Sequence, residues 1–413
     1  MNCFFQQAGD EPAKTYQDLI DDLRQAGPLY QPYCYESSTY RVFRAIIHAW
    51  LLGQTLTLLD TDWPAGAIGK QLGDTAWSER RITVPRLDLV DKHELLERLK
   101  RCREARLTLY SSGTTGQPKP ITHRISRLIQ DVRIAPAYAE AVWGTGYHPT
   151  HMGSVQVLLQ AVLNGAPVVD LHGIRPSAII NMIRQCGVTH LSATPTFYRL
   201  LLAECAPMPA VRQVTLGGER VDPALLERLR QVFPGARILN VFASTEAGRL
   251  FASTGDVFTV SESMRDKVRI TEGRLFIHVA LLGESELTSR ADDGWYDTGD
   301  EVEWVGESPL QFRMLRRSDE RINCGGHKVD PGQVESAILE GGWAKAVRVY
   351  GRKNTVTGSI LYCELIPHEH FNEKALRLDL SQRLPPHAIP RFYQVVDQLA
   401  TSRAGKLRRD NEA

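Results

Sequence analysis

Residues 110–120 read Y-S-S-G-T-T-G-Q-P-K-P, so two serines, two threonines, two glycines and a lysine crowd into one segment. Glycine lets backbone N–H groups turn toward an anion, the hydroxyls add donors, and lysine adds a mobile positive charge. That is the chemistry of a phosphate cradle. The same composition suits a polar surface loop between a strand and a helix, so the segment alone leaves both readings open. Leu107-Thr108-Leu109, just before it, reads as the end of a short buried strand.

The elements that must position such a loop follow from apolar spacing. Residues 15–25 place Tyr16, Leu19, Ile20 and Leu23 at helical spacing, with Thr15 as N-cap. Residues 40–52 repeat that spacing through Val42, Ile46, Ile47, Trp50 and Leu51; Gly53 ends the helix and residues 55–59 read as a strand. Residues 64–90 read as irregular, and residues 92–104 as a solvated helix. Beyond the loop, residues 125–132 are expected to form a helix whose positive N-terminal end faces it. Helix–strand units then recur over residues 155–171, 177–192 and 195–216. A further unit follows Gly217, with Asp222 as N-cap and Pro223 at the first helical position.

This alternation predicts an α/β fold of mostly parallel sheet flanked by helices, with ligands at the carboxyl ends of strands. Gly113, Gly217 and residues 243–246 all fall at such ends. From about residue 256, short strands joined by turns such as Asp293-Gly294 predict a smaller β-rich subdomain. Residues 316–319 read as a charged break, and a compact α+β tail follows.

Composition bounds the function. The 413 residues suffice for two or three domains, and 43% hydrophobic with 23% charged residues is ordinary for a globular protein. A formal net charge of +1 argues against nucleic-acid binding through a broad basic field. No apolar run reaches the length of a membrane span, and the N-terminus lacks a signal-peptide pattern. Seven scattered cysteines without a Cys-x-x-Cys pattern point to reduced thiols in the cytoplasm, with neither a disulfide framework nor a zinc site.

Four further stretches accompany the loop: V-F-A-S-T-E-A-G (241–248), G-W-Y-D-T-G-D (294–300), R-R-S-D-E-R-I-N-C-G-G-H-K-V-D-P-G-Q-V-E (316–335) and S-R-A-G-K-L-R-R (402–409). Together, and in this order, they resemble the signatures of the adenylate-forming superfamily: acyl-CoA synthetases, peptide-synthetase adenylation domains and luciferases. The resemblance implies a large N-terminal domain over residues 1–317 and a small mobile lid over 318–413, hinged near Asp319. It implies that Ser111, Ser112, Gly113, Thr114, Thr115, Gly116 and Lys119 hold the phosphates of ATP that leave as pyrophosphate. Thr245 and Glu246 resemble the family's Thr-Glu pair, Glu246 helping to bind Mg²⁺, a hard cation that needs an anionic oxygen ligand.

Gly218, Glu219, Asn240, Phe242, Ala243 and Ser244 would line the adenine site. Asp300 would accept hydrogen bonds from both ribose hydroxyls, and Arg317 would reach the ribose from the other side. Gly325 and Gly326 would line a tunnel for a phosphopantetheine thiol. Lys406 matches the family's catalytic lysine, which would stabilise the charge that builds as a carboxylate attacks the α-phosphate. The implied reaction joins an acid to ATP as acyl-AMP, then passes the acyl group to coenzyme A or to a carrier protein.

The sequence also departs from the family. The region before the loop is short, which implies a trimmed N-terminal subdomain. Pro120 stands where glycine is usual, Phe242 replaces a tyrosine and Ala243 a glycine. Adenylation domains for α-amino acids carry an aspartate that grips the ammonium group, yet residues 147–153, Y-H-P-T-H-M-G, hold no acid. The expected substrate is therefore a carboxylic acid without an α-ammonium, with His148 or His151 and Gly153 over the acyl pocket. Two other readings stand beside this one. One is a catalytically silent nucleotide- or acyl-binding protein on the same fold. The other is a P-loop NTPase, disfavoured because residues 116–119 lack the Gly-Lys-Ser/Thr ending.

Overall fold

Thr15 and Asp18 cap the first helix reciprocally: the Thr15 hydroxyl accepts the Asp18 N–H, and the Asp18 carboxylate accepts the Thr15 N–H. The helix runs over Tyr16–Gln25 and buries Tyr16, Leu19, Ile20 and Leu23, the face that the spacing predicts. These positions belong to a computed structural model, which describes residues 3–9, 12–111, 119–285, 293–307, 309–317, 321–324, 327–354 and 358–401.

The second helix, Thr39–Leu52, ends at Gly53, whose left-handed backbone (φ 66°) donates to the Ala49 and Trp50 carbonyls. The chain then enters the strand Thr55–Leu58. That strand lies in a four-stranded sheet of order Tyr33–Cys34, Thr55–Leu58, Arg106–Ser111 and Lys119–Arg124. Its first three strands are parallel and the last is antiparallel.

A second sheet has eight strands, in the order Gly248–Ser253, Arg237–Ser244, Gln213–Gly217, His190–Ala193, Trp143–Thr145, Val168–Asp170, Cys3–Gln6 and Lys14–Thr15. All its inner pairs are parallel and both edge pairs are antiparallel. Helices Met152–Leu163, Pro176–Gln185, Pro195–Leu202 and Pro223–Val232 connect its strands. Burial on both faces explains the apolar strand composition. Packing is tight enough that a Cβ on Gly144 would fall 2.9 Å from the Leu171 and Leu191 side chains.

A third, five-stranded sheet is wholly antiparallel: Val257–Thr259, Leu310–Arg317, Trp295–Glu307, Arg274–His278 and Val268–Thr271. Phe251, Phe258 and Phe312 form its core, as the predicted β-rich subdomain requires. Beyond it, Gly358–Pro367 and Ala344–Asn354 pair with each other and pack on helices Pro331–Glu340 and Glu373–Arg383 around Val334, Val349, Leu365 and Leu376.

Three expectations need correction. Residues 64–90 are not irregular throughout: Ala65–Leu72 is a helix and Trp77–Glu79 a 3₁₀ turn. Ile68 and Trp77 pack there with Leu59, so tertiary burial wins over a segment whose glycines hide its periodicity. Residues 125–132 do not form one helix; only Ile125–Leu128 is helical. Its start does not face the phosphate loop, because Lys119–Arg124 returns antiparallel to Arg106–Ser111 and the Ile125 N–H bonds Ala105 at the hairpin's far end. Alternate burial of Ile121 and His123 favours a strand here, so the short helix begins at the end of the strand pair far from residues 112–118. Finally, Arg316 and Arg317 are no break; they end the strand Leu310–Arg317.

One carboxylate ties two helices together. Asp222 accepts the Leu225 N–H at 2.8 Å and a hydrogen bond from Arg199 Nη2 at 2.7 Å, joining Pro223–Val232 to Pro195–Leu202. Burial pushes its pKa up, but Arg199 and the helix N–H more than offset this, leaving it below the ordinary carboxylate value. A depressed folded pKa contributes stability above the unfolded value near ~3.9, lost as pH falls through the folded value. Asp222→Asn keeps a good cap but loses the ion pair, and should cost roughly 1–3 kcal/mol at neutral pH. Urea unfolding at neutral pH and in acid checks this: the deficit should shrink as the medium becomes more acid.

Candidate active site

The strand Arg106–Ser111 and its return Lys119–Arg124 place Ser111 and Lys119 directly opposite each other, the two stems of the loop. Ser111 is buried and Lys119 is half-buried. Ser112, Gly113, Thr114, Thr115 and Gly116 lie outside the described residues, as do Asp319, Gly325, Gly326 and Lys406.

The strand Arg237–Ser244 ends in a turn that carries Thr245 and Glu246. Ser244 Oγ closes it by accepting the Ala247 N–H at 3.1 Å. The Gly283 N–H holds the Glu246 carbonyl at 2.7 Å. His123 Nε2 lies 2.7 Å from the Thr245 carbonyl, a contact that no motif in the sequence marks. The Glu246 carboxylate is half-buried and has no hydrogen bond or ion pair among the described residues.

Asp300 and Arg317 are cross-strand neighbours of the third sheet. Arg317 Nε stands 3.8 Å from Asp300 Oδ1, and Nη2 donates to the Thr298 carbonyl at 3.1 Å. Tyr296, whose place inside the G-W-Y-D-T-G-D stretch was its only sequence signal, links this pair to the turn. Burial pushes its phenol up to about 12, followed by the field of Glu246, with Arg317 opposing and Asp300 adding. Glu246, Asp300 and Arg317 thus share one neighbourhood although they come from different sheets.

Other candidate residues are engaged structurally. The Glu219 carboxylate accepts the Thr196 N–H at 2.9 Å and its hydroxyl at 2.8 Å, capping helix Pro195–Leu202, and is thus engaged within the protein. Asn240 is buried and donates to the Gly255 carbonyl at 3.1 Å. Phe242 packs on Phe251 and Phe258, and Ala243 sits at a register shift of the same strand pair.

The histidines diverge. His151 caps helix Met152–Leu163 by accepting the Gly153 N–H, and it stacks on Tyr147 at 5.4 Å. The Tyr147 hydroxyl donates to Ala193 O at 2.8 Å and approaches Gly217 O at 3.4 Å, and its ring leaves no room for a Cβ on Gly153. His148 instead meets His172, and burial with the neighbouring histidines lowers its pKa to about 3. It lines a cavity of about 530 Å³ with Ser38, Thr39, Asp62, Asp170 and His172. Residues 147–153 carry no acid, yet folding brings two carboxylates to the wall that His148 shares.

Glu301, next to Asp300, takes Arg316 at 2.8 Å and Arg321 at 2.7 Å, and Arg316 stands 3.8 Å from Asp330. This network flanks the expected hinge. No group of three or more His, Cys, Asp or Glu residues among those described could hold a metal ion, so a cation here would rest on Glu246 and on oxygens of the nucleotide. That donor set fits Mg²⁺, which typically takes one or two carboxylates plus phosphate oxygens and water. No described helix is long and apolar enough to cross a membrane.

The family model of AMP-binding enzymes matches residues 100–286, and that of their C-terminal domain matches residues 333–406. Tyrocidine synthase 3 of Brevibacillus parabrevis is 25% identical over 353 residues, which are 73% of this chain and 5% of that protein. A 2-succinylbenzoate–CoA ligase of Listeria monocytogenes serotype 4b (strain F2365) is 26% identical over 328 residues, 73% of this chain and 68% of that one. The chain thus spans a small part of the first relative and about two-thirds of the second. In structure it is similar to O-succinylbenzoate coenzyme A synthetase from Bacillus subtilis in complex with AMP, with a TM-score of 0.68, 18% identity, and 99% and 94% of the two chains covered. With the hairpin loop, the Thr-Glu turn and the Asp300–Arg317 pair in one α/β frame, and both family models matched in order, the chain belongs to the AMP-binding enzyme family.

Proposed function

We propose that the chain activates a carboxylic acid with ATP as acyl-AMP and passes the acyl group to a phosphopantetheine thiol, of coenzyme A or of a carrier protein. The observation that carries this reading is the meeting of Glu246, Tyr296, Asp300 and Arg317 at the carboxyl end of the strand Arg237–Ser244. The acid is one without an α-ammonium: aryl, alkyl or a short functionalised acyl.

In the first step the carboxylate oxygen attacks the α-phosphorus, and the bond to the departing pyrophosphate breaks. Ser111, Lys119 and the loop between them hold that leaving group, Gly218 and the strand end at 240–244 flank the base, and Asp300 with Arg317 fixes the ribose. Bound Mg²⁺ would neutralise charge on the phosphate oxygens from its seat on Glu246. Lys406 stabilises the charge that peaks in the transition state. Residues 318–413 then turn about Asp319 and withdraw Lys406, and the thiol arrives past Gly325 and Gly326. Thiolate attack on the acyl carbon releases AMP and leaves a thioester.

Carboxylate-dependent exchange of labelled pyrophosphate into ATP, run across a panel of acids, tests the first step. Exchange with at least one acid, and AMP with no ADP once thiol is added, is the expected result; ADP and phosphate in place of AMP and pyrophosphate would overturn the reading. Coenzyme A and a phosphopantetheinylated carrier, offered separately, identify the acceptor. Lys406→Ala should cut exchange by roughly 10²–10³-fold, the loss seen when a charge-stabilising group is removed. Calorimetry should show ATP binding to that variant unchanged.

A further inference from the structure

We propose that His123 is a positioning residue for Glu246, holding the Thr245–Glu246 turn so that the Glu246 carboxylate faces the cation of MgATP. The proposal rests on the reading of Glu246 as a Mg²⁺ ligand and extends it to a residue of another sheet.

His123 lies in the strand Lys119–Arg124, opposite Leu107, and is 1% exposed. Its Nε2 is 2.7 Å from the Thr245 carbonyl oxygen. A carbonyl only accepts, so Nε2 carries the proton and Nδ1 is a bare acceptor. Nδ1 is buried and has no hydrogen-bond partner among the described residues. An unmet buried nitrogen costs about 1–3 kcal/mol, and a leucine here would fill the space without that cost. Filling the core is therefore a poor account of the imidazole; the contact to Thr245 is what it supplies.

The surroundings are built around that ring. A Cβ on Gly283 would fall 2.7 Å from His123 Cε1, 2.9 Å from Nδ1 and 2.8 Å from Ile121, so position 283 admits glycine alone without displacing the histidine. The Gly283 N–H in turn holds the Glu246 carbonyl at 2.7 Å, and residue 284 exchanges two backbone hydrogen bonds with Thr122. Two successive carbonyls, of Thr245 and of Glu246, are thus pinned from the loop's returning strand and from the segment packed on it. His123 lies four positions after Lys119, so the strand that carries one stem of the phosphate loop also fixes the metal-binding turn. Loop stem and carboxylate-bearing turn are set relative to each other through this side chain together with the backbone contacts of Gly283 and Glu284.

Calorimetric titration of ATP, once with excess EDTA and once with Mg²⁺, tests the proposal on folded protein without turnover. The wild type should bind MgATP more tightly than metal-free ATP, and Glu246→Ala should abolish the difference. His123→Leu should lose roughly tenfold to a hundredfold of the Mg²⁺-dependent tightening, the usual cost of removing a group that orients a metal ligand. Its affinity for metal-free ATP should stay unchanged. His123→Gln, whose amide can donate to the same carbonyl, should restore most of the effect. Gly283→Ala, which pushes on the ring from outside, should reproduce the His123→Leu pattern should that variant not fold. Equal weakening with and without Mg²⁺ would mark a merely structural histidine and overturn the proposal, as would full Mg²⁺-dependent tightening in His123→Leu or Gly283→Ala. Absence of any Mg²⁺ effect in the wild type and in Glu246→Ala would instead remove the metal-ligand reading, and this proposal with it.

Discussion

Residues 244–247 turn where the four-stranded and eight-stranded sheets meet, and carbonyls enclosed there must find donors. Those of Thr245 and Glu246 are met by His123 and by the Gly283 N–H. Because His123 belongs to one sheet and Ser244 ends a strand of the other, the contact to Thr245 also ties the two sheets together at this point. Register therefore matters at the hairpin. A slip of one residue between Arg106–Ser111 and Lys119–Arg124 would turn His123 away and bring Thr122 or Arg124 in its place.

The antiparallel sheet contributes through the same period of two. Asp300 pairs with Arg317 and Glu301 with Arg316, and successive residues of a strand face opposite sides. One acid–arginine pair therefore joins Tyr296 near Glu246, while the next joins Arg321 and Asp330 at the junction with the tail. Adjacent side chains thus meet different neighbours on the two sides of the sheet without any extra element.

Much of this was legible in the chain itself. The capping pair Thr15–Asp18, the Gly53 stop, and the Asp222-Pro223 helix start lie where local spacing puts them, because each is decided within a few residues. The β-rich subdomain was legible for the same reason, through alternation and the Asp293-Gly294 turn, both of whose residues have positive φ. Where two local patterns competed, the sequence misled. Residues 119–125 can read as a loop running into a helix or as an edge strand, and only pairing with Arg106–Ser111 selects the strand.

The sequence by itself determined the candidate chemistry: a polar glycine-rich loop, a Thr-Glu pair, an aspartate for the ribose and a terminal lysine, in a recognisable order. Tertiary structure alone decided which groups are available. It engaged the Glu219 carboxylate at a helix start, sent His148 and His151 to different neighbours, and brought Asp170 to a wall that its own segment could not forecast. It also placed His123 beneath Thr245, 122 residues away in sequence. The physical reason is that propensity and periodicity act over one turn or one strand. Which donor meets a given buried carbonyl depends on the pairing of distant strands, and no local window contains it.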